Sequence, residues 1–287
     1  MIAEYPDFSQ ISLGIRPDLH PRFKTLAEGI SEFTFANIYL FREKHNYSIS
    51  ALSDGLAVIC GRDGDAPFFM LPFGLPDEAV LRVLFGRFGA MKAVSEPQAE
   101  RLAALGYRVG EDRDNFDYLY CRQDLVNLTG RKFHKKKNLL NLFIRNNQCQ
   151  AMPLLEEYRD DALRVLDEWN WLNGGASDLA AAREALEKMC PLQLCGGIFY
   201  INEKPVAYCL GEELALGTSF VIHFEKAAVE PQFKGIYQFI NQAFASILPE
   251  KYQTLNREQD LGEPGLRQAK ESYQPSGFVK KYRAVAD

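Results

Sequence analysis

Along the second half of the chain, apolar residues recur with periods that separate helices from strands. Ile236, Phe239, Ile240, Ala243, Phe244 and Ile247 fall at i, i+3, i+4, i+7, i+8 and i+11. That spacing predicts an amphipathic helix laid on a sheet, stopped by Pro249. Upstream, residues 218–228 alternate, with Phe220, Ile222 and Phe224 on one side and Val221, His223 and Glu225 on the other, as a strand does. Before them, residues 149–155 predict a short strand and 156–172 a helix. Ser177 can cap a second helix running to about Met189, and 192–201 with 205–210 read as a hairpin. After the long helix come a short strand at 252–256, a short helix at 265–272 and a last strand at 278–285.

The first half reads similarly. Residues 23–43 predict one helix with Leu26, Ile30, Phe33 and Leu40 on its stripe, then strands at 47–52, 56–60 and 68–71. A helix at 77–88 and a strand at 91–94 follow. Ser95 with Gln98 forms a capping box for a helix ending at Gly106, and 116–121 is a strand. The runs 77–121 and 234–285 both read α-β-α-β, which predicts two copies of one α/β plan, each a mixed sheet flanked by helices. The expected lobes are 1–129 and 130–287.

Composition changes this picture little. The chain has 287 residues, 47% hydrophobic and 25% charged, so disorder is excluded and two compact domains fit the length. Against 33 Lys and Arg stand 38 Asp and Glu, a net charge of -5, so any polyanion site is a local patch. The acidic start Met1-Ile2-Ala3-Glu4 lacks the basic segment of a signal peptide, and no long uncharged apolar run is present, so a cytoplasmic protein without a transmembrane segment is expected. The six cysteines form no CxxC pair and are expected as reduced core thiols. His20, His45, His134 and His223 are scattered without HExxH, so no metal site is expected.

Four segments carry candidate chemistry. Gln232, Lys234 and Gly235 lie between a strand and the N-terminus of the best helix, where a glycine lets backbone N–H groups approach a phosphate. The alternative is a turn needing one small residue. The run from Gly130 to Asn138 holds Lys132 and Lys136 among five positive charges, either a solvated helix face or a phosphate grip. Asn256, Arg257, Glu258 and Asp260 follow a strand end, where α/β sheets often bind ligands, and Lys270 and Tyr273 come next. His223 and Glu225 share a strand face, which makes Glu225 a candidate base.

The second half, with Gln232-Phe233-Lys234-Gly235 before the long helix, resembles the GNAT acyltransferase superfamily, although Tyr237 stands where its pyrophosphate loop has a small residue. The segments 113–118, 128–138, 256–262 and 266–275 resemble motifs of the phosphatidylglycerol lysyltransferase C-terminal-like family across nearly the whole chain. The resemblance implies a tandem GNAT-like fold with the active cleft in the second lobe and no donor site in the first. It implies an acyl- or aminoacyltransferase taking its acyl group from a CoA thioester or aminoacyl-tRNA and passing it to an amine or hydroxyl. Such an acceptor is a small molecule or a peptide, with a tRNA acceptor end as a possible partner and peripheral membrane contact conceivable. In that reading Glu225 deprotonates the acceptor and Tyr273 protonates the leaving group. Gln232, Lys234, Gly235, Lys132, Lys136 and Arg257 hold donor phosphate, and His223, Asn256, Glu258, Asp260 and Lys270 contact substrate. The alternative is a degenerate pair that binds a nucleotide, peptide or tRNA end without catalysis.

Overall fold

The computed structural model describes residues 2–173, 178–228 and 233–286. Fourteen strands are named among them. The first seven are β1 Ser9–Gln10, β2 Ser48–Ala51, β3 Ala57–Asp63, β4 Ala66–Met70, β5 Ala90–Val94, β6 Arg108–Glu111 and β7 Asp117–Cys121. The second seven are β8 Cys149–Pro153, β9 Cys195–Ile201, β10 Lys204–Leu214, β11 Ser219–Ala227, β12 Thr254–Asn256, β13 Gly277–Val279 and β14 Tyr282–Val285. They form two mixed sheets, in orders β1-β2-β3-β4-β5-β14-β6 and β8-β9-β10-β11-β12-β7-β13.

Strands β1 to β6 have their counterparts in β8 to β13, and β14 has its counterpart in β7, down to the single parallel pair in each sheet, β4 with β5 and β11 with β12. Helices Glu78–Phe88 and Ile236–Ile247 make the two parallel crossovers. The α-β-α-β repeat expected from the pattern is therefore present. The boundary expected at 129/130 coincides with neither sheet, because the last strand of each half is exchanged: β7 lies between β12 and β13, and β14 between β5 and β6. For the same reason the single strand expected at 278–285 is two short strands serving different sheets.

A buried polar cluster fastens the exchange. Lys281, just before β14, donates to Asp117 at the head of β7 (2.7 Å) and to Glu32, and its side chain is 1% exposed. Ser31 donates to Asp117 through its hydroxyl (2.8 Å) and its backbone N–H (2.9 Å). These contacts also explain why residues 23–43 are not one helix. The segment around Gly29, at φ +72°, runs non-helically so that its carbonyl accepts from Asn256 (3.0 Å). A new helix, Phe35–Leu40, then starts at Thr34, whose hydroxyl accepts from the Asn37 N–H. Tertiary hydrogen bonds outweigh a helical stripe here. The thiols also differ from expectation: Cys209 is buried, but Cys190 and Cys195 are exposed. Ser177 lies outside the described residues.

Candidate functional site

β11 and β12 pair only from Ser219↔Thr254 to Val221↔Asn256. Beyond that point β11 runs on to Ala227 while the chain after β12 turns away, so the two part. A cleft of about 940 Å³ opens there, within the range of small-molecule sites. Its walls come from both halves of the chain: Glu225, Arg257 and Tyr273 from the second, and Phe41, His45 and Lys92 from the first. The corresponding gap in the first sheet, where β4 and β5 touch only at Phe69↔Met91, is plugged. Gln98 donates across it to the Leu71 carbonyl (2.8 Å), and Phe73 packs on Phe23 beneath Arg22, leaving about 190 Å³.

The centre of the cleft is an ion pair. Glu225 accepts from Arg257 (2.9 Å) through one oxygen and from Asn241 (2.9 Å) through the other. Arg257 lies 5.2 Å from the Tyr273 ring centroid and 5.7 Å from that of Tyr120, and its second terminal nitrogen is buried with no hydrogen-bond partner among the described residues. Burial opposes its charge, but Glu225 and the surrounding phenols hold the guanidinium above its usual range. Lys136 rests on the Tyr273 ring at 4.0 Å and has no ion-pair partner among the described residues. Burial first, and then the nearby Arg257, pull it below the usual lysine range. Lys136 and Arg257 thus lie near one another on this wall, with Glu225 paired to Arg257. Burial also pushes the Tyr273 phenol well up, while its oxygen accepts from Gln238 (2.9 Å).

The other expected site residues divide sharply. His223 also reaches the cleft, but both ring nitrogens are taken, by Glu258 (2.8 Å) and Glu212 (3.1 Å). Burial works against its charge, yet the two carboxylates outweigh it and raise its pKa to about 10, so it is an imidazolium. It holds Glu258, whose backbone is in the left-handed region at φ +54°. Asn256, Asp260 and Lys270 are bound within the protein, and of the three Lys270 also lines the cleft. Asn256 joins Gly29, Asp117 and the Glu258 N–H. Asp260 accepts from Tyr118 (2.6 Å), Arg113, Arg267 and the Gly262 N–H, and these donors outweigh burial to hold its carboxyl far below the usual range. Lys270 donates to the carbonyls of Arg257, Glu258 and Gln259 and so shapes the loop that carries Arg257, while burial lowers its pKa to about 8.

The expected phosphate loop is described only from Phe233 onward. Gln232 lies outside the described residues, and Lys234 is exposed. Gly235, at φ +102°, is pressed against the helix His134–Asn146: a Cβ there would sit 2.3 Å from the Leu139 carbonyl oxygen. The glycine is required by this close approach. Tyr237 lines the cleft and fills room that the motif's small residue would leave, hydrogen-bonded to Trp169. Lys132 turns away to Asp124 (2.8 Å), so of the basic run only Lys136 enters the cleft. Arg131, His134 and Lys137 line a separate surface depression.

Several groups had no signal in the sequence. Asn241 is buried on a largely apolar helix, where its amide donates to Glu225 (2.9 Å) and to the Tyr237 carbonyl (2.6 Å). Lys226 pairs with Asp178 (2.7 Å) over the face of Trp169. His45, Asp63 and Lys92 come together from three separate segments of the first half.

The geometry agrees with what the chain is similar to. A structure from Bacteroides thetaiotaomicron VPI-5482, described as a conserved protein of unknown function, matches all of this chain over its own whole length at 31% identity and a TM-score of 0.88. The C-terminal domain of a putative lysylphosphatidylglycerol synthetase from Agrobacterium fabrum matches 96% of this chain over 93% of its own, at 14% identity and a TM-score of 0.66. A tandem GNAT protein from the clavulanic acid biosynthesis pathway matches 98% over 98%, at 9% identity and a TM-score of 0.53. These last two share the fold. An uncharacterized protein of Mycoplasmoides gallisepticum is 23% identical over 176 residues, 58% of this chain, and the match spans only about half of that relative, 54%. No helix among the described residues is long and apolar enough to cross a membrane. The model of the family described as phosphatidylglycerol lysyltransferase, C-terminal, matches residues 23–285, and the chain belongs to that family, with a tandem GNAT-like fold.

Proposed function

We propose that the protein is an aminoacyltransferase that takes its acyl group from aminoacyl-tRNA and passes it to an amine or hydroxyl acceptor in the shared cleft. The observation that carries this reading is the pair Arg257 and Lys136. The half-buried Lys136 and Arg257 face the cleft, Glu225 pairs with Arg257, and one guanidinium nitrogen has no hydrogen-bond partner among the described residues, so an anion fits beside them. A terminal phosphate of the donor supplies it. Family membership points to the same class of reaction.

Between the two donor types, the entry to helix Ile236–Ile247 favours tRNA over CoA. A pyrophosphate cradle needs an open glycine turn. Here Gly235 is packed on the Leu139 carbonyl, Lys234 faces solvent and Tyr237 occupies the cleft. The exposed cations Arg131, Lys135 and Lys137 lie on the same stretch that sends Lys136 inward, and they suit a polyanion passing over the surface.

In the reaction the acceptor nitrogen or oxygen attacks the ester carbonyl carbon of the donor and the carbonyl–ribose oxygen bond breaks. Tyr273 gives its phenolic proton to the leaving oxygen and is reprotonated from water. A phenol with its acidity lowered suits a leaving alkoxide, which is more basic still. Arg257 holds the donor's phosphate, and the Glu225–Asn241 contacts fix the guanidinium in place. A thermal-shift screen tests the donor choice. A stable amide analogue of the charged 3′ end at ~100 times its Kd should stabilise the protein by ~2.7 kcal/mol. Stabilisation by acetyl-CoA with none from the analogue would reverse the choice of donor.

A further inference from the structure

Resting on that aminoacyltransferase reading, we infer that His45, oriented by Asp63, is the base that deprotonates the acceptor. Both oxygens of Glu225 already accept, one from Arg257 and the other from Asn241, and a proton taken there would strip the buried Arg257 of its counter-charge. His223 is already doubly bound. Neither of these two groups is therefore the best-placed proton acceptor, although Glu258 and Glu263 also line that wall.

The opposite wall supplies one. His45 lines the same cleft, with a quarter of its side chain exposed. Its Nδ1 lies 3.2 Å from Asp63 Oδ1 and 3.3 Å from the Arg62 carbonyl oxygen. Both neighbours are acceptors, so Nδ1 carries the hydrogen of the neutral ring. The Nε2 lone pair is then the free one, and no hydrogen bond ties it among the described residues. The ring is fixed in this orientation by stacking on Tyr47 (5.2 Å between centroids) and by the edge of Phe68 (6.3 Å). Asp63 is itself held by Lys92. The contacts from His45 and Lys92 outweigh burial and keep Asp63 ionised far below the usual carboxylate range. A carboxylate behind one ring nitrogen and a free lone pair at the other is the arrangement of a general base. Lys44, on the same helix, and Lys92 are the cations of this wall, and both line the cleft.

The step balances simply. Nε2 takes the proton of the acceptor O–H or N–H as that atom bonds to the ester carbonyl carbon. The imidazolium, paired with Asp63, then returns the proton to water. The leaving oxygen receives its own proton from Tyr273, as above.

The test separates attack that needs a base from attack that does not. Wild type and His45→Gln are given bulk tRNA charged with radiolabelled amino acids. The acceptor is phosphatidylglycerol vesicles or a lysine-containing peptide, whichever wild type uses, and hydroxylamine in parallel. Hydroxylamine is already a neutral nucleophile at pH 7. The expected result is a fall of roughly 100-fold or more in kcat for the ordinary acceptor, with its KM and the hydroxylamine rate within about twofold of wild type. Asp63→Asn should cut the same kcat at least tenfold, and it carries the test if His45→Gln does not fold. Full activity of His45→Gln with the ordinary acceptor overturns the inference and leaves the proposed function standing. Equal loss with both nucleophiles overturns it too, since His45 would then serve donor binding or folding. No transfer by wild type to any nucleophile removes the proposed function and the inference together.

Discussion

Replacing Arg257 by Met would remove the cation from a buried pair while keeping most of the side-chain volume. The Glu225 side chain is 8% exposed and that of Arg257 15%, with 2.9 Å between nitrogen and oxygen. Stripping one partner from a buried ion pair costs about 3–5 kcal/mol, chiefly because the remaining charge is stranded. Asn241 still donates to Glu225, which places the expected loss near the lower end, about 3 kcal/mol. At roughly 2–4 °C per kcal/mol for a chain of this size, Tm should fall by about 6–12 °C. Adding Glu225→Gln removes the stranded charge, so the double variant should recover half or more of the loss. Urea unfolding of the two single variants and the double variant closes the cycle and reads the coupling directly. A loss below about 1 kcal/mol for Arg257→Met, or a double variant as unstable as the sum of its parts, would refute the view that this pair is one buried unit.

Other outcomes follow from the same geometry. Gly235→Ala puts a Cβ 2.3 Å from the Leu139 carbonyl oxygen at φ +102°, so unfolding should show a loss of about 2 kcal/mol or more, with donor affinity in the refolded protein little changed. Tyr118→Phe removes a 2.6 Å hydrogen bond to the buried Asp260 carboxylate and should cost about 1.5–3 kcal/mol by the same measurement. His223 has its folded pKa raised from 6.5 to about 10, so its stabilisation is complete below pH 6.5 and is lost as pH rises toward 10. Urea midpoints taken between pH 6 and pH 10 should fall in wild type, and a His223→Gln variant should show a flatter profile over that window.

The sequence carried the fold more fully than the site. Regular elements declare themselves through local periodicity, so the helix Ile236–Ile247, its crossover twin Glu78–Phe88 and the Ser95–Gln98 capping box are legible in the residues. The strand exchange is not, because nothing in the residues of β7 or β14 says which sheet they join. The deciding contacts, Lys281 with Asp117 and Asn256 with Gly29, span more than a hundred residues. Three residues that line the cleft stand out in the sequence on different grounds: Glu225 shares a strand face with His223, while Arg257 and Tyr273 lie in segments that resemble family motifs. Gly235 was legible as a glycine that matters, but what it meets is a helix almost a hundred residues earlier. His45, Asp63 and Lys92 lay hidden because strand pairing in the other half brings them to the cleft.

The most direct measurement is transfer itself. The protein is incubated with tRNA charged with radiolabelled amino acids and with hydroxylamine, and the aminoacyl hydroxamate is counted for wild type and for Lys136→Ala, which leaves the buried ion pair intact. An aminoacyl-tRNA-dependent transferase gives enzyme-dependent hydroxamate from wild type, a rate at least tenfold lower for Lys136→Ala at low salt, and no hydroxamate from acetyl-CoA under the same conditions. Hydroxamate from acetyl-CoA alone, or equal rates for wild type and the variant, would contradict it.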